Sequence, residues 1–506
     1  MPSGTDSRLH RQGVNSLLLV VTAAMRTLGY HRRSRSVEAR PAVCLRPDME
    51  RTTGEVVICG AGIAGVAAAY HLAVRRGVRD VVLVDERPPL TLTSDKSAEC
   101  YRNWWPGPGD DMVAVMNRSI DLLEELAAES GNVFRLNRRG YLFATADPAR
   151  AALFAKAADE AADLGAGPVR RHATGTSDYR PSAADGFDRA LRGTDLVTEP
   201  SLIRRHYPWL AGDTIALLHA RRCGWFSGQQ LGMYLLERAR ESGVRLLEGR
   251  VERIDTVGGR VRGVDVRGPG GTKTIGTERA VLAAGPYLKD AGRLVGVDLP
   301  LFCELHAKVA FNDTLRAMPR GAPMTLWADP MTIAWSPQER EELAASDSHR
   351  HLVEELPPGA HGRPEGAGES MSVLGVWTYD AEPQEAVFPP PFDPAHQEVV
   401  LRGMARMIPA MAPYLERMPR CFVDGGYYTK TRENRFLAGP LPVEGAYVIG
   451  ALSGYGMMAS NGAADLLADY LAERPLPRYA PAFRLDRYDD PEYKRLLETW
   501  GDSGQL

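Results

Sequence analysis

The sequence of Glu55–Asp85, EVVICGAGIAGVAAAYHLAVRRGVRDVVLVD, decides the fold. A short apolar run over residues 56–59 enters a glycine-rich turn, and an alanine-rich run from Ile63 to Arg76 follows, with Gly77 as a helix stop. A second apolar run over residues 81–84 ends on Asp85. The pattern predicts a strand, a helix and a second parallel strand, the unit of about 30 residues that begins many parallel sheets.

The glycine pattern in this unit is typical of a dinucleotide-binding turn. Gly60 allows a tight turn, Gly62 lets a pyrophosphate approach the backbone, and Gly65 permits close packing of helix and strand. The helix N-terminus offers N–H donors, and Asp85 is placed to bind an adenosine ribose. A ligand-free turn and NAD(P) binding stay open, but three separated segments that can join one sheet favour a discontinuous FAD domain.

The remaining patterns predict an α/β chain with a second, antiparallel sheet. Helices are expected over about 110–131, 148–165 and 227–243, and a hairpin turn at Gly258-Gly259. Residues 140–145 predict a strand of an antiparallel sheet, and residues 446–471 a last strand and helix. A segment rich in Gly, Pro and charge, about 337–370, is expected to be a surface loop.

Composition excludes several classes of function. The 506 residues carry a formal net charge of -3, which gives no basis for nucleic-acid binding. Six scattered cysteines form no CxxC pair, and no HExxH pattern occurs, so we expect no metal site and a reducing, cytoplasmic compartment.

The first 50 residues differ from the rest. Residues 1–47 contain eight Arg and no Lys, around an apolar run, Leu17–Met25, that is shorter than the roughly 20 residues of a membrane span. Three interpretations stay open: a disordered extension preceding a true start at Met49, a transit-like targeting peptide, and a signal or interfacial anchor.

Residues 55–475 resemble the FAD-dependent D-amino acid oxidase and sarcosine oxidase superfamily. The similar blocks are residues 56–73, 81–105, 139–145 (RGYLFAT), 225–254, 280–287 (AVLAAGPY) and 425–471. The resemblance implies a fold like that of glutathione reductase and a set of FAD-binding residues. That set is Gly60, Gly62, Ile63, Ala64, Gly65, Asp85, Glu86, Ser94, Lys96, Ser97, Arg102, Val251, Ala284, Gly285, Gly454, Tyr455, Gly456, Met457 and Met458.

Two positions depart from the pattern of this family. Gly426 stands where monomeric sarcosine oxidases have the cysteine that attaches the flavin, so we expect non-covalent FAD, with attachment through Cys100 as an alternative. Met458 stands where those enzymes have a lysine near the substrate carboxylate, which makes a simple N-methyl amino acid a less secure substrate.

Five side chains are candidates for the substrate site. Tyr428 is the first choice to orient substrate, with plain core packing as its alternative. His306 and Lys308 share one face of a predicted strand. In a second segment, Lys430 and Arg432 alternate with threonines, so the two cations lie on one face and the threonines on the other. Each cation is either a carboxylate ligand or a solvated surface charge, and His306 is either a site residue or a structural histidine.

The predicted organisation is an FAD-binding domain from about 52–105, 210–300 and 422–475, a substrate domain from about 130–210 and 301–421, and a C-terminal tail, 476–506. The predicted reaction is oxidation of a small amine or amino-acid-like substrate, with hydride transfer to flavin N5 and hydrolysis of the imine. Oxygen or an electron carrier accepts the electrons. Oxidation of a 2-hydroxy acid and a flavin-bearing assembly factor without turnover are the alternatives, and the oligomeric state stays open.

Overall fold

The computed structural model of the chain describes residues 52–105, 107–187 and 191–500. The N-terminal extension, residues 1–50, lies outside the described residues, as do the last residues of the predicted tail, 501–506. Among the described residues, no helix combines the length and the apolar character that crossing a membrane requires.

The strands and helices are numbered in chain order. The first strands are β1 (Val56–Cys59), β2 (Val81–Asp85), β3 (Cys100–Arg102), β4 (Tyr141–Thr145), β5 (Val169–His172), β6 (Thr194–Val197), β7 (Ala216–Ala220), β8 (Cys223–Trp225), β9 (Arg245–Glu248), β10 (Arg250–Val257) and β11 (Arg260–Gly268). The later strands are β12 (Gly271–Gly276), β13 (Ala280–Leu282), β14 (Phe302–Asn312), β15 (Met324–Trp327), β16 (Met331–Thr332), β17 (Glu355–Leu356), β18 (His361–Pro364), β19 (Ser372–Val376), β20 (Phe422–Lys430), β21 (Leu437–Pro440) and β22 (Ala446–Gly450). The α-helices are α1 (Ile63–Tyr70), α2 (Asp111–Ser130), α3 (Pro148–Ala161), α4 (Pro200–His206), α5 (Gly228–Glu241), α6 (Leu288–Arg293), α7 (Pro337–Ala345), α8 (His396–Met407), α9 (Pro413–Glu416), α10 (Gly456–Leu471) and α11 (Pro491–Glu498).

A six-stranded sheet in the order β21-β22-β13-β1-β2-β9 forms the centre of one layered part of the fold. Its strands are parallel except for β21, which pairs antiparallel with β22. Side chains of β1 alternate: Val56 and Ile58 pack with helices α1, α2, α5 and α10, whereas Val57 and Cys59 pack towards the antiparallel sheet β10-β11-β12. The predicted βαβ unit and parallel sheet are confirmed.

A nine-stranded sheet in the order β20-β14-β19-β18-β15-β4-β7-β6-β5 forms the second part. Most of its pairs are antiparallel; β4 pairs parallel with β15, and β5 with β6. The predicted α/β class with an antiparallel sheet is therefore confirmed. Strands β7 and β20 join this sheet, although the predicted domain boundaries place their residues in the FAD-binding domain. The division of the chain into these two domains stays a prediction.

The sequence signals for helix ends agree with the structure. Ser227 and Asp147 accept hydrogen bonds from the first turns of α5 and α3, and α2 ends at Gly131, whose φ is +66°.

The predicted surface loop over 337–370 is wrong in two places. Residues 337–345 form α7, which begins with a capping box between Ser336 and Glu339, and residues 361–364 form β18 inside the nine-stranded sheet. Arg363 in β18 is fully buried. Its charge is compensated there, because its guanidinium donates to Ala98 O and pairs with the carboxylate of Glu365. These partners lie far away in sequence or beyond the strand, so composition alone gives the wrong expectation.

Candidate active site

The turn after β1 approaches its neighbours so closely that two of its glycines are required by packing. Gly60 has a φ of +116°, and a Cβ added there would lie 2.4 Å from Ala283 O. A Cβ on Gly65 would lie 1.9 Å from Gly60 O. Gly62 differs, since an added Cβ would meet only Ser94 Oγ, at 3.2 Å. Gly62 therefore leaves open space where the backbone borders a cavity.

Two side chains fix the shape of this turn. Asp85, at the carboxyl end of β2, accepts a hydrogen bond from Ala61 N at 2.7 Å and one from Arg87 N at 2.9 Å. Ser94 Oγ accepts from Ile63 N at 3.0 Å. Both side chains line the cavity, and the acidic one lies at the strand end where ribose is bound in dinucleotide folds.

A cavity of about 950 Å³ extends from this turn along the carboxyl ends of the parallel strands. Its size is at the upper end of the range for ligand sites, about 300–1,000 Å³, and suits an extended dinucleotide. Fourteen of the predicted FAD-binding residues line it: Gly60, Gly62, Ile63, Ala64, Asp85, Glu86, Ser94, Ser97, Val251, Ala284, Gly285, Gly454, Gly456 and Met457.

The other predicted FAD-binding residues lie elsewhere. Gly65 packs helix against strand behind the turn, and Lys96, Arg102, Tyr455 and Met458 line a second, smaller cavity.

The N-terminus of α10 borders the large cavity. This helix is 16 residues long, and Gly456 and Met457 at its start line the cavity together with Gly454 in the preceding turn. Its N–H groups and the positive end of its dipole therefore face the space available to a cofactor, and they favour negative charge there. These groups, the open backbone at Gly62 and the carboxylate of Asp85 fit a pyrophosphate-bearing flavin.

The smaller cavity, of about 80 Å³, adjoins the large one. Ser97, Tyr428 and Gly454 line both cavities. His306 and Lys308 line the smaller cavity, so the structure brings three of the five candidate substrate residues together.

Lys308 and Tyr428 give the smaller cavity its chemical character. The ammonium of Lys308 donates to Ser97 O at 3.0 Å, and burial lowers its pKa from the ordinary lysine value. Burial raises the pKa of Tyr428 to about 12, so the phenol is neutral at physiological pH. A half-buried cation with donors to spare beside a neutral phenol suits a small anionic group.

Lys430 and Arg432 lie away from this space. Lys430 Nζ donates to Glu304 Oε2 at 2.9 Å, and Arg432 is exposed in the turn after β20. Neither is among the described residues that line the two cavities.

Gly426 and Cys100 bear on how a flavin is held. A Cβ on Gly426 would lie 3.1 Å from Thr93 Cα and 3.2 Å from Lys96 Cβ, so a cysteine there requires the loop after β2 to move. Cys100 lines the smaller cavity, and burial raises its pKa, which disfavours the reactive thiolate.

Several lining residues were not predicted from the sequence. Tyr141, His361, Met324 and Thr378 line the smaller cavity, and each comes from a strand or strand end of the nine-stranded sheet. The block RGYLFAT was a signal for Tyr141, because it resembles a substrate-domain strand. The others lie in segments without a chemical motif.

Phe388 contacts three residues of the wall of the large cavity. Its ring packs edge-on against Tyr427 at 5.4 Å and lies 5.9 Å from the ring of Tyr287, while the guanidinium of Arg87 lies 5.6 Å from its centroid. Those three residues line the cavity, so Phe388 packs behind part of its wall.

Comparisons with known proteins agree with this geometry. The sequence model of the family described as FAD dependent oxidoreductase matches residues 55–470. Mitochondrial dimethylglycine dehydrogenase of Rattus norvegicus is 25% identical over 459 residues, which is 90% of this chain and 46% of the relative. The chain thus spans about half the length of the curated relatives it matches.

Solved structures share the fold. L-proline dehydrogenase from P. horikoshii has a TM-score of 0.63 and 19% identity, and the match covers 87% of this chain and 98% of that one. Glycine oxidase from Geobacillus kaustophilus has a TM-score of 0.64 and 17% identity, and the match covers 86% and 98% of the two chains.

Proposed function

The chain belongs to the family of FAD-dependent oxidoreductases, and on that basis we propose that it oxidises the C–N bond of a small amine or amino-acid-like substrate. The observation that carries the proposal is the junction of the two cavities at Ser97, Tyr428 and Gly454. A dinucleotide in the large cavity and a small molecule in the other would meet there.

FAD would be held along the large cavity, with its pyrophosphate at the turn of Gly60 and Gly62 and its ribose at Asp85. Bound FAD supplies a two-electron acceptor for the hydride that leaves the substrate carbon next to nitrogen. The N-terminus of α10 would stabilise negative charge at the cofactor end near Gly454.

The smaller cavity would bind the substrate. Lys308 would pair with a substrate carboxylate, because a half-buried ammonium with spare donors is stabilised by an anion. Tyr428 would form the wall that keeps the substrate carbon against the flavin. Arg432 has no place in this proposal, since it is exposed.

We further propose that the FAD is not covalently attached, on the basis of Gly426 and the buried thiol of Cys100. The five cysteines in the described part of the chain are free, which supports a reducing compartment such as the cytoplasm. The oxidant of the reduced flavin is proposed to be oxygen or an electron carrier.

The experiment is anaerobic mixing of the flavin-loaded protein with candidate substrates while the flavin absorbance is recorded. The names of the similar proteins suggest N,N-dimethylglycine, L-proline and glycine, and simple alkylamines and lactate complete the set. We expect bleaching by at least one carboxylate-bearing amine and none by lactate, since the proposed chemistry starts from an amine.

Bleaching by lactate alone would contradict the proposal in favour of 2-hydroxy acid oxidation. A fully loaded flavin that no compound reduces, in a protein that co-purifies with a partner, would favour an assembly factor without turnover. Repeating the productive reaction in air and with an artificial electron acceptor identifies the type of oxidant.

A further inference from the structure

A chain of hydrogen bonds leads from the smaller cavity to a carboxylate beyond it. Thr378 Oγ1, which lines the cavity just after β19, lies 3.1 Å from His306 Nδ1. The other ring nitrogen, His306 Nε2, lies 3.0 Å from Glu304 Oε2. Lys430 Nζ donates to the same carboxylate oxygen at 2.9 Å. Four linked polar groups thus extend from the lining of the smaller cavity to Glu304 and Lys430, which line neither cavity.

The partners of the imidazole define which nitrogen can accept a proton. The carboxylate of Glu304 only accepts hydrogen bonds, so the proton of neutral His306 belongs on Nε2. Nδ1 is then the acceptor and faces the Thr378 hydroxyl, which donates to it. Burial lowers the pKa of His306, which keeps the ring neutral and its Nδ1 lone pair available.

Glu304 is placed to stabilise the protonated ring. Burial alone would raise its pKa, but the hydrogen bonds from His306 and Lys430 outweigh burial and hold the pKa below the ordinary value. The ring is also held flat against Tyr428, with 3.9 Å between ring centroids and 14° between planes. The side chain of Glu304 is 12% exposed, so its far side reaches solvent.

Other titratable groups lie near the ring. Lys430 pairs with Glu304, and the lining of the smaller cavity includes Lys96, Glu99, Arg102, Lys308, His361 and Tyr428. The anion in direct contact with the imidazole is Glu304, which selects this residue as the partner of the imidazolium.

We propose that Thr378, His306 and Glu304 form a path that removes the proton from the substrate ammonium before oxidation. The inference rests on the proposed amine oxidation, because an ammonium has no lone pair with which to support departure of hydride from the neighbouring carbon. Amino groups are largely protonated at neutral pH, so a proton must leave.

The transfer conserves protons and involves no change of oxidation state. The ammonium proton moves to Thr378 Oγ1 while the threonine hydroxyl proton moves to His306 Nδ1, and the N–H bonding pair stays on the substrate nitrogen as its lone pair. The imidazolium keeps its Nε2 proton in the hydrogen bond to Glu304, and it returns to neutrality when the Nδ1 proton passes back through the Thr378 hydroxyl to water after the product has left the cavity. Thr378 and His306 act at the substrate, and Glu304 is a positioning residue.

The test is the pH dependence of anaerobic flavin reduction by the amine that bleaches the wild-type flavin. Thr378→Val and Glu304→Gln should each lower the limiting rate constant about tenfold near pH 7. That factor corresponds to an increase of about one unit in the apparent pKa of substrate deprotonation. The rate constants of the variants and the wild type should become equal at about pH 10, where the amine loses its proton directly to solvent. Thr325→Val is the matched control, because Thr325 is a buried threonine of the same sheet that bonds to Pro323 O and lines neither cavity.

Unchanged rates at pH 7 in both variants, or an equal loss at every pH, would overturn the proton path. Two variants at opposite ends of the path keep the test open if one of them does not fold. Failure of every amine to reduce the wild-type flavin would instead overturn the proposed function, so the two failures are distinguishable.

Discussion

A Gly62→Val variant should bind FAD about 10- to 100-fold more weakly than the wild type while keeping its fold. Gly62 has a φ of -68°, which any residue adopts, and an added Cβ would meet only Ser94 Oγ. The valine side chain would therefore occupy the space through which the pyrophosphate must approach the backbone. Crowding of this kind costs about 1–3 kcal/mol, and each 1.4 kcal/mol is tenfold in affinity. Gly60 and Gly65 are poor choices here, because an added Cβ would strike backbone atoms and disturb the fold itself.

The measurement is a fluorescence titration of the apoprotein with FAD, beside a thermal unfolding curve of the apoprotein. Gly212→Val is the matched control, since Gly212 is exposed, has no left-handed φ and would place its Cβ in open space. A Gly62→Val variant that binds FAD as tightly as the wild type would contradict the placement of the pyrophosphate at this turn.

A Lys308→Gln variant should lose about 10- to 150-fold in kcat/KM for amines that carry a carboxylate. Glutamine removes the positive charge but retains an N–H donor for Ser97 O, so the loop beside the flavin keeps a partner. A hydrogen bond between charged groups is worth about 1.5–3 kcal/mol, which sets the expected range. The measurement is steady-state turnover with the carboxylate-bearing substrate and with the corresponding amine that lacks the carboxylate.

The uncharged substrate separates recognition from general damage. Its kcat/KM should be the same in Lys308→Gln and wild type, and Lys289→Gln, on the exposed side of α6, should leave both substrates unaffected. An equal loss for the two substrates would contradict the assignment of Lys308 to the carboxylate.

Much of the cofactor cavity could be predicted from the sequence, because its residues follow one another along strand ends. The turn after β1, Asp85 and the start of α10 each combine a local pattern with a known position at the edge of a parallel sheet. Glycine and capping signals also located the end of α2 and the starts of α3 and α5. A local signal of the same kind is present at Ser336, whose capping box begins α7 in a segment where the composition indicates a loop.

The smaller cavity could be predicted only in part, since its chemistry depends on pairing between distant strands. The register of β14 with β20 brings Glu304 opposite Tyr428 and Phe302 opposite Lys430, and no local pattern fixes that register. Lys430 therefore looked like a carboxylate ligand in the sequence, whereas the structure shows it bound to Glu304. Thr378 lies beyond the end of β19 in a segment without a motif, and only tertiary contact brings it to His306.

The most direct test of the central claim is the absorption spectrum of the purified protein before and after acid precipitation. We expect a yellow protein that releases its FAD into the supernatant, because Gly426 provides no thiol and the raised pKa of Cys100 disfavours its reactive thiolate. Colour that stays with the pellet would contradict non-covalent binding, and a folded, colourless protein that takes up no added FAD would contradict the claim itself.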